Sequence, residues 1–491
     1  MHLKKKANIF LFIFVILLHS YNFFSYVNVN DAPLKDIDVV LGSDAEKYFN
    51  AGVYIAEEFL NKDKVSTYPS IKSMYYSFSG TEHILTGRSF TYPLYLAASF
   101  IPFLVIGLDS ELYLVGFSSL FLLILLYLAT LLFEKEFKLK NLTLILSLFL
   151  LLPSVQSQLL NTLLEIFNCL LIVLFSVFCK RYLNGNRHIS NNSLLIIFTL
   201  LIALNHKLAL YATFLFVFVL IYHSKKSTST YWIPIIILFS IIGLNHLLTS
   251  NGYLSFYDNH KGWGHGGFYT AYTGLYLPES LEDGYCCTFL SAESEHPTYY
   301  LNGSLINGNC EDVKTILLSK NNNHYSNVFL LEKLNIKLAS GDNSSPCFSN
   351  YEITEIFISQ YFTVNNFKVM IKKFAFTYFV GCKYFDLKSD NLLLNNLSKC
   401  GDFEYFKNLN LTKILINLYE TSFRFFSLIF GFIVILKSKH QYLQYPYILT
   451  YFLLIPSITT AESRYFLHFL LVLAFLSTKF LLSPSRRSTN I

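Results

Sequence analysis

Residues 111–140 read ELYLVGFSSLFLLILLYLATLLFEKEFKLK. From Leu112 to Phe133 there is no formal charge, and Lys135, Lys138 and Lys140 follow at once. A helix crossing the hydrocarbon layer needs about 20 apolar residues, and lysines beside a span mark its cytoplasmic side. This stretch therefore sets both class and direction: it predicts a spanning helix that runs inward.

Composition agrees. The 491 residues are 53% hydrophobic and 14% charged, and 17% are aromatic, with 48 Phe and 35 Tyr against 2 Trp. Soluble domains carry about a quarter charged residues. The net charge of +6 does not point to nucleic acid, because the basic residues stand in short clusters between apolar runs.

Outward from 111–133, further apolar runs occupy 141–157, 159–178, 193–205, 207–222, 231–249, 414–436, 443–460 and 465–482, and the first is Ala7 to Tyr26. Ala7 to Tyr26 follows Lys4, Lys5 and Lys6, a pattern shared by signal peptides and retained spans; its length and the lack of a small-x-small cleavage site favour retention. The run from Tyr92 to Leu108 is decided by the positive-inside rule. If it does not cross, Lys4–Lys6, Lys135–Lys140, Lys180, Arg181, Arg187, Lys225, Lys226, Lys437, Lys439, Arg486 and Arg487 all fall inside. It is therefore read as a helix at the outer interface. The expectation is an all-α polytopic integral membrane protein with about ten spans and both termini cytoplasmic. Residues 1–249 form an N-terminal transmembrane core with an outer loop at 27–110, 250–413 a large outer loop, and 414–491 the C-terminal helices. Runs 193–205 and 207–222 read as a hairpin with a polar tip at Asn205, His206 and Lys207.

Six of the eight cysteines, Cys286, Cys287, Cys310, Cys347, Cys382 and Cys400, share the large loop, where disulfides can form. No zinc-type CxxC pair occurs, so no metal site is expected; Cys169 and Cys179 read as packing residues. Residues 353–385 alternate aromatic and basic groups and read as an amphipathic helix on the membrane surface.

The first outer segment contains Gly42-Ser43-Asp44-Ala45-Glu46-Lys47-Tyr48, with Ala51 and Ala56 continuing a helical pattern. Ser43 or Asp44 can cap that helix; a carboxylate at this depth can also be a general base for an acceptor. Next comes Arg88-Ser89-Phe90-Thr91-Tyr92-Pro93-Leu94-Tyr95. Arg88, Lys207 and Arg464 each suit an interface anchor or a phosphate ligand. Glu165 lies near the outer end of its span, where it is either functional or simply in reach of water. In Trp263-Gly264-His265-Gly266-Gly267-Phe268-Tyr269, His265 is a substrate-contact candidate within what is otherwise a glycine-rich turn.

The order of these elements resembles the GT-C superfamily of membrane glycosyltransferases, near the protein mannosyltransferases and the lipid A aminoarabinose transferases. The resemblance rests on D-x-x-x-Y from Asp44 to Tyr48, R-x-x-x-Y-P-L-Y from Arg88 to Tyr95, a proline followed by Glu165, and S-R-Y-x-x-x-x-L from Ser463 to Leu470. It spans about 1–250 and 410–482. It implies a GT-C-like helix bundle in a bacterial inner membrane, with the active site facing the periplasm. The donor would be a sugar on a polyprenyl phosphate, and the acceptor a glycan, lipid or protein. Asp44 would be the catalytic base. Glu46, Lys47, Tyr48, Arg88, Tyr92, Glu165, Lys207, Arg464 and Tyr465 would contact substrate, with His265, outside the span of the resemblance, as a further candidate. One departure is Ala45 where many relatives have a second acid, which leaves Asp44 acting alone or with Glu46; a requirement for a divalent metal stays open. The competing readings are an O-antigen polymerase or ligase and, from another class, a lipid or solute transporter.

Overall fold

The computed structural model describes residues 2–29, 43–60, 91–108, 111–160, 164–184, 188–205, 213, 217, 221, 232–250, 300–301, 304–305, 378, 411–437 and 466–482. Within them the chain is helical, apart from an antiparallel ladder pairing Tyr300 with Leu305 and Leu301 with Ser304. The helices are α1 (His2–Val29), α2 (Ser43–Phe59), α3 (Thr91–Val105), α4 (Glu111–Phe137), α5 (Leu142–Leu150) and α6 (Pro153–Leu160). They continue with α7 (Leu164–Leu183), α8 (Ile189–Ala203), α9 (Trp232–Ser250), α10 (Leu411–Lys437) and α11 (Leu467–Leu482). Among the described residues, two helices are long and apolar enough to cross a membrane: Tyr113–Phe137 and Leu418–Lys437. Most of the large loop, and the expected span at 443–460, lie outside the described residues.

Side-chain contacts fix the relative directions of the helices. Phe12 stacks on Tyr127, His19 bonds Ser119 and Phe23 packs on Gly116, so α1 and α4 are antiparallel. Tyr95 of α3 stacks on both Phe121 and Phe167, while Arg181 pairs with Glu136, so α4 and α7 run the same way. Phe178 stacks on Phe198 near one end and Asn168 bonds Asn205 at the other, making α8 antiparallel to α7. Tyr378 touches Arg424 and Phe466, and Gly431 lies on Leu473, so α10 and α11 are parallel. Phe133 meets Phe475, and α11 also packs on α7. The start of α1 and the ends of α4, α7 and α11 therefore share one end of the bundle.

Helix α3 behaves differently. Its Tyr95 and Phe103 lie about 12 Å apart along the axis, yet they stack on Phe121 and Phe117, about one turn apart on α4. It thus crosses over the N-terminal part of α4, carrying α2 with it. In lipid such contacts are held by close packing of small residues. A Cβ at Gly52 would lie 2.7 Å from Leu96 Cβ, and one at Gly431 would lie 2.8 Å from Leu473 Cδ2.

The run expected as one span at 141–157 is in fact broken. Helix α5 stops at Leu150 and α6 restarts at Pro153, whose ring suits a first helical position. A break inside a bundle exposes carbonyls and amides that need partners. Helix α10 supplies them: Tyr419 Oη donates to Leu148 O at 2.5 Å, and Ser154 N donates to Glu420 Oε2 at 3.4 Å. Arg424 is 1% exposed and ties the unit together, donating to Glu420 Oε1 at 2.8 Å, to Ser154 Oγ at 3.0 Å and to Tyr378 O at 3.0 Å. Tyr378 is thus buried against α10, and the rest of 353–385, expected as a surface helix, lies outside the described residues.

Candidate functional site

The site is built where α2, α3, α6 and α7 meet at the end of the bundle opposite the basic residues. Asp44, Glu46 and Lys47 stand in the opening turns of α2, the helix expected from Ala51 and Ala56, both of which are buried. One turn after Asp44, the buried ring of Tyr48 meets the Tyr92 ring edge-on, with centroids 5.4 Å apart. Phe49 packs on Phe100 at 5.2 Å, and Gly52 lets the two backbones close up. Together these contacts lock α2 onto the start of α3.

The start of α3 is itself anchored. Thr91 Oγ1 donates to Asn205 Oδ1 at 2.8 Å, and Asn205 in turn bonds Asn168 on α7. Tyr95 Oη donates to the Ser118 carbonyl at 2.7 Å. Tyr92, Tyr95 and Phe167 form one aromatic block, with centroids 4.9–6.0 Å apart. Glu165 occupies the first turn of α7, where the amide dipoles favour an anion. At 2% exposure it does not reach water in this structure, and it lies close to Tyr92 and Cys169. A carboxylate held this deep is either paired or functional.

Beneath Tyr92 and Tyr95 lies a cavity of about 10 Å³, lined also by Ser118, Ser119, Leu122, Gln158, Leu159 and Ile166. That is room for one water. Gln158 Oε1 is buried and has no hydrogen-bond partner among the described residues, so it offers such a water an acceptor. Ser119 Oγ connects the cavity to His19 Nε2 at 2.9 Å. Close by, Asn22 donates to Gln156, which donates to Leu150 O at the helix break.

The structure therefore brings together Tyr48, Tyr92 and Glu165, and places Asp44, Glu46 and Lys47 on the adjoining backbone. The side chains of Asp44, Glu46 and Lys47 lie outside the described set. So do Arg88, Lys207, His265, Arg464 and Tyr465 and the six loop cysteines. Lys207 follows Asn205 by two positions, and Tyr465 precedes the buried Phe466. Cys169 and Cys179 are buried free thiols, in keeping with a packing role. Among the described residues no group of three or more His, Cys, Asp or Glu could hold a metal ion. Sequence reasoning missed His19, Gln158 and the Glu420–Arg424 pair. The pair did leave a signal, since these are the only charges in the run 414–436 and stand four apart. Compared with family models, with curated proteins and with solved structures, the chain shows no match.

Proposed function

We propose that the chain is an inverting membrane glycosyltransferase that takes its sugar from a polyprenyl phosphate at the outer face of the membrane. The observation that carries the reading is the docking of α2: Asp44 stands one turn before Tyr48, and Tyr48 meets Tyr92 beside the buried Glu165. Three elements singled out for separate sequence reasons thus adjoin. A lipid phosphate already leaves readily, so the reaction needs mainly one base and fixed positive charge. Asp44 takes the proton of the acceptor as its nucleophile attacks the anomeric carbon. The bond to the lipid phosphate breaks, and Arg88, Lys207 and Arg464 stabilise the departing phosphate. Glu165 and Tyr92 shape the inner wall of the site.

Ten spans with both termini inside fit the helix directions. The parallel course of α10 and α11 supports reading the apolar run 443–460 between them as a span. The transverse course of α3 fits an interfacial helix. The bacterial inner membrane remains the compartment implied by the resemblance.

The test is a panel of carboxylate variants assayed for sugar transfer from a polyprenyl-phosphate donor. Asp44→Asn keeps the shape but cannot accept a proton at neutral pH, and should cut turnover by roughly 10²–10⁴. Should Asp36→Asn, Asp38→Asn or Glu46→Gln abolish transfer while Asp44→Asn does not, the base is another carboxylate of the same loop. If none of the four matters, the reading is wrong.

A further inference from the structure

We propose that the inner end of the bundle binds the phosphate of an anionic lipid head group, through Lys138, Lys180 and Lys479 at the ends of α4, α7 and α11. The inference rests on the membrane-spanning reading and is independent of glycosyl transfer. Three helices far apart in sequence finish at one level: Arg181 of α7 pairs with Glu136 of α4 at 2.9 Å, and α11 packs against α7. Lys138 occupies a left-handed turn (φ 52°) immediately after α4, and Lys479 lies in the last turn of α11. Both are exposed, and Lys180 is half-buried between them.

Charge balance favours an anion here. The nearest carboxylates of α4 are engaged: Glu136 binds Arg181, and Glu134 Oε2 accepts Leu142 N at 3.1 Å, closing the turn into α5. The Lys180 ammonium is held below the usual lysine value, first by burial and then by Lys479 and Lys138, with Glu136 pulling the other way. Lys138, Lys180 and Lys479 thus bring three positive charges from three helices to one level, where an anionic head group can join them.

The floor of the cluster points to a lipid as the source of that phosphate. Lys180 Nζ stands 4.1 Å over the Phe137 ring, which stacks on Phe133, which meets Phe475. Ammonium groups above an apolar aromatic floor, at the end of an apolar helix of 25 residues, lie where head groups meet acyl chains.

Protein purified in a neutral detergent would be offered phosphatidylglycerol and phosphatidylcholine in equal amounts, and bound lipid counted by native mass spectrometry. The parent should retain phosphatidylglycerol preferentially, and millimolar inorganic phosphate should not displace it. Lys138→Gln, Lys180→Gln and Lys479→Gln should each lower retention about fivefold. Lys135→Gln with Lys140→Gln should lower it far less, although both are exposed lysines of the same segment. Equal loss in that control would mean diffuse charge without a site, and full displacement by phosphate would mean a free-anion site; either overturns the proposal. If Lys138→Gln or Lys180→Gln does not fold, Lys479→Gln alone still decides it, because unchanged retention there contradicts a site that uses α11.

Discussion

Replacing Arg424 by leucine should be among the most damaging single changes in this bundle. The side chain is fully buried and makes four hydrogen bonds: two to Glu420 at 2.8 and 3.1 Å, one to Ser154 Oγ and one to Tyr378 O. Arg424→Leu removes them and leaves the Glu420 carboxylate, 6% exposed, without its cation. Breaking a buried pair from one side costs about 3–5 kcal/mol, mainly from the uncompensated charge. Replacing both members removes that charge, so Glu420→Gln with Arg424→Leu should recover most of the loss, while Gln still accepts from the Ser154 amide. The residual cost should be about 1–2 kcal/mol for the lost bonds to Ser154 and Tyr378. Unfolding in mixed micelles by titration with a denaturing detergent, run as a double-mutant cycle, measures both quantities. The reasoning is refuted if Arg424→Leu lies within about 0.5 kcal/mol of the parent, or if the double variant is no more stable than the single one.

Two further expectations concern packing and topology. Gly52→Val would drive a side chain into Leu96 and Phe100 and should cost about 1–3 kcal/mol; sugar transfer should fall more steeply than folded yield, because α2 carries Asp44. Transfer that falls only in step with yield would separate α2 docking from the site. Cysteine-accessibility labelling should place positions near Lys138 and Arg487 inside and positions near Gly42 and Asn302 outside; an outside label at Lys138 would reverse every later loop.

What the sequence disclosed was periodicity and punctuation. The apolar run of α4 reads as a long apolar helix and is one, while the lysines after it read as its direction across a membrane. Tyr48 and Tyr92 stood out in short motifs and Glu165 as a charge within an apolar run, and the structure brings the three together. The break at Leu150–Pro153 was not legible, because Pro153 sits within an unbroken apolar run and its freed backbone groups are satisfied by α10, distant in sequence. Nor was the contact of Tyr378 with Arg424 legible: only tertiary packing brings its carbonyl there. His19 and Gln158 sit within hydrophobic stretches that carry no motif, and they gain meaning only from a cavity made by four helices.

The central claim is glycosyl transfer, and the most direct measurement follows the sugar. Membranes containing the chain, or its Asp44→Asn variant, would be supplied with polyprenyl-phosphate sugars labelled in the sugar. The account expects the label to leave the lipid for a second acceptor with inverted anomeric configuration, releasing one free polyprenyl phosphate per sugar, and expects this to collapse in the variant. Labelled donor that stays intact, or that crosses the bilayer with its sugar still attached, would contradict the enzyme and favour a transporter.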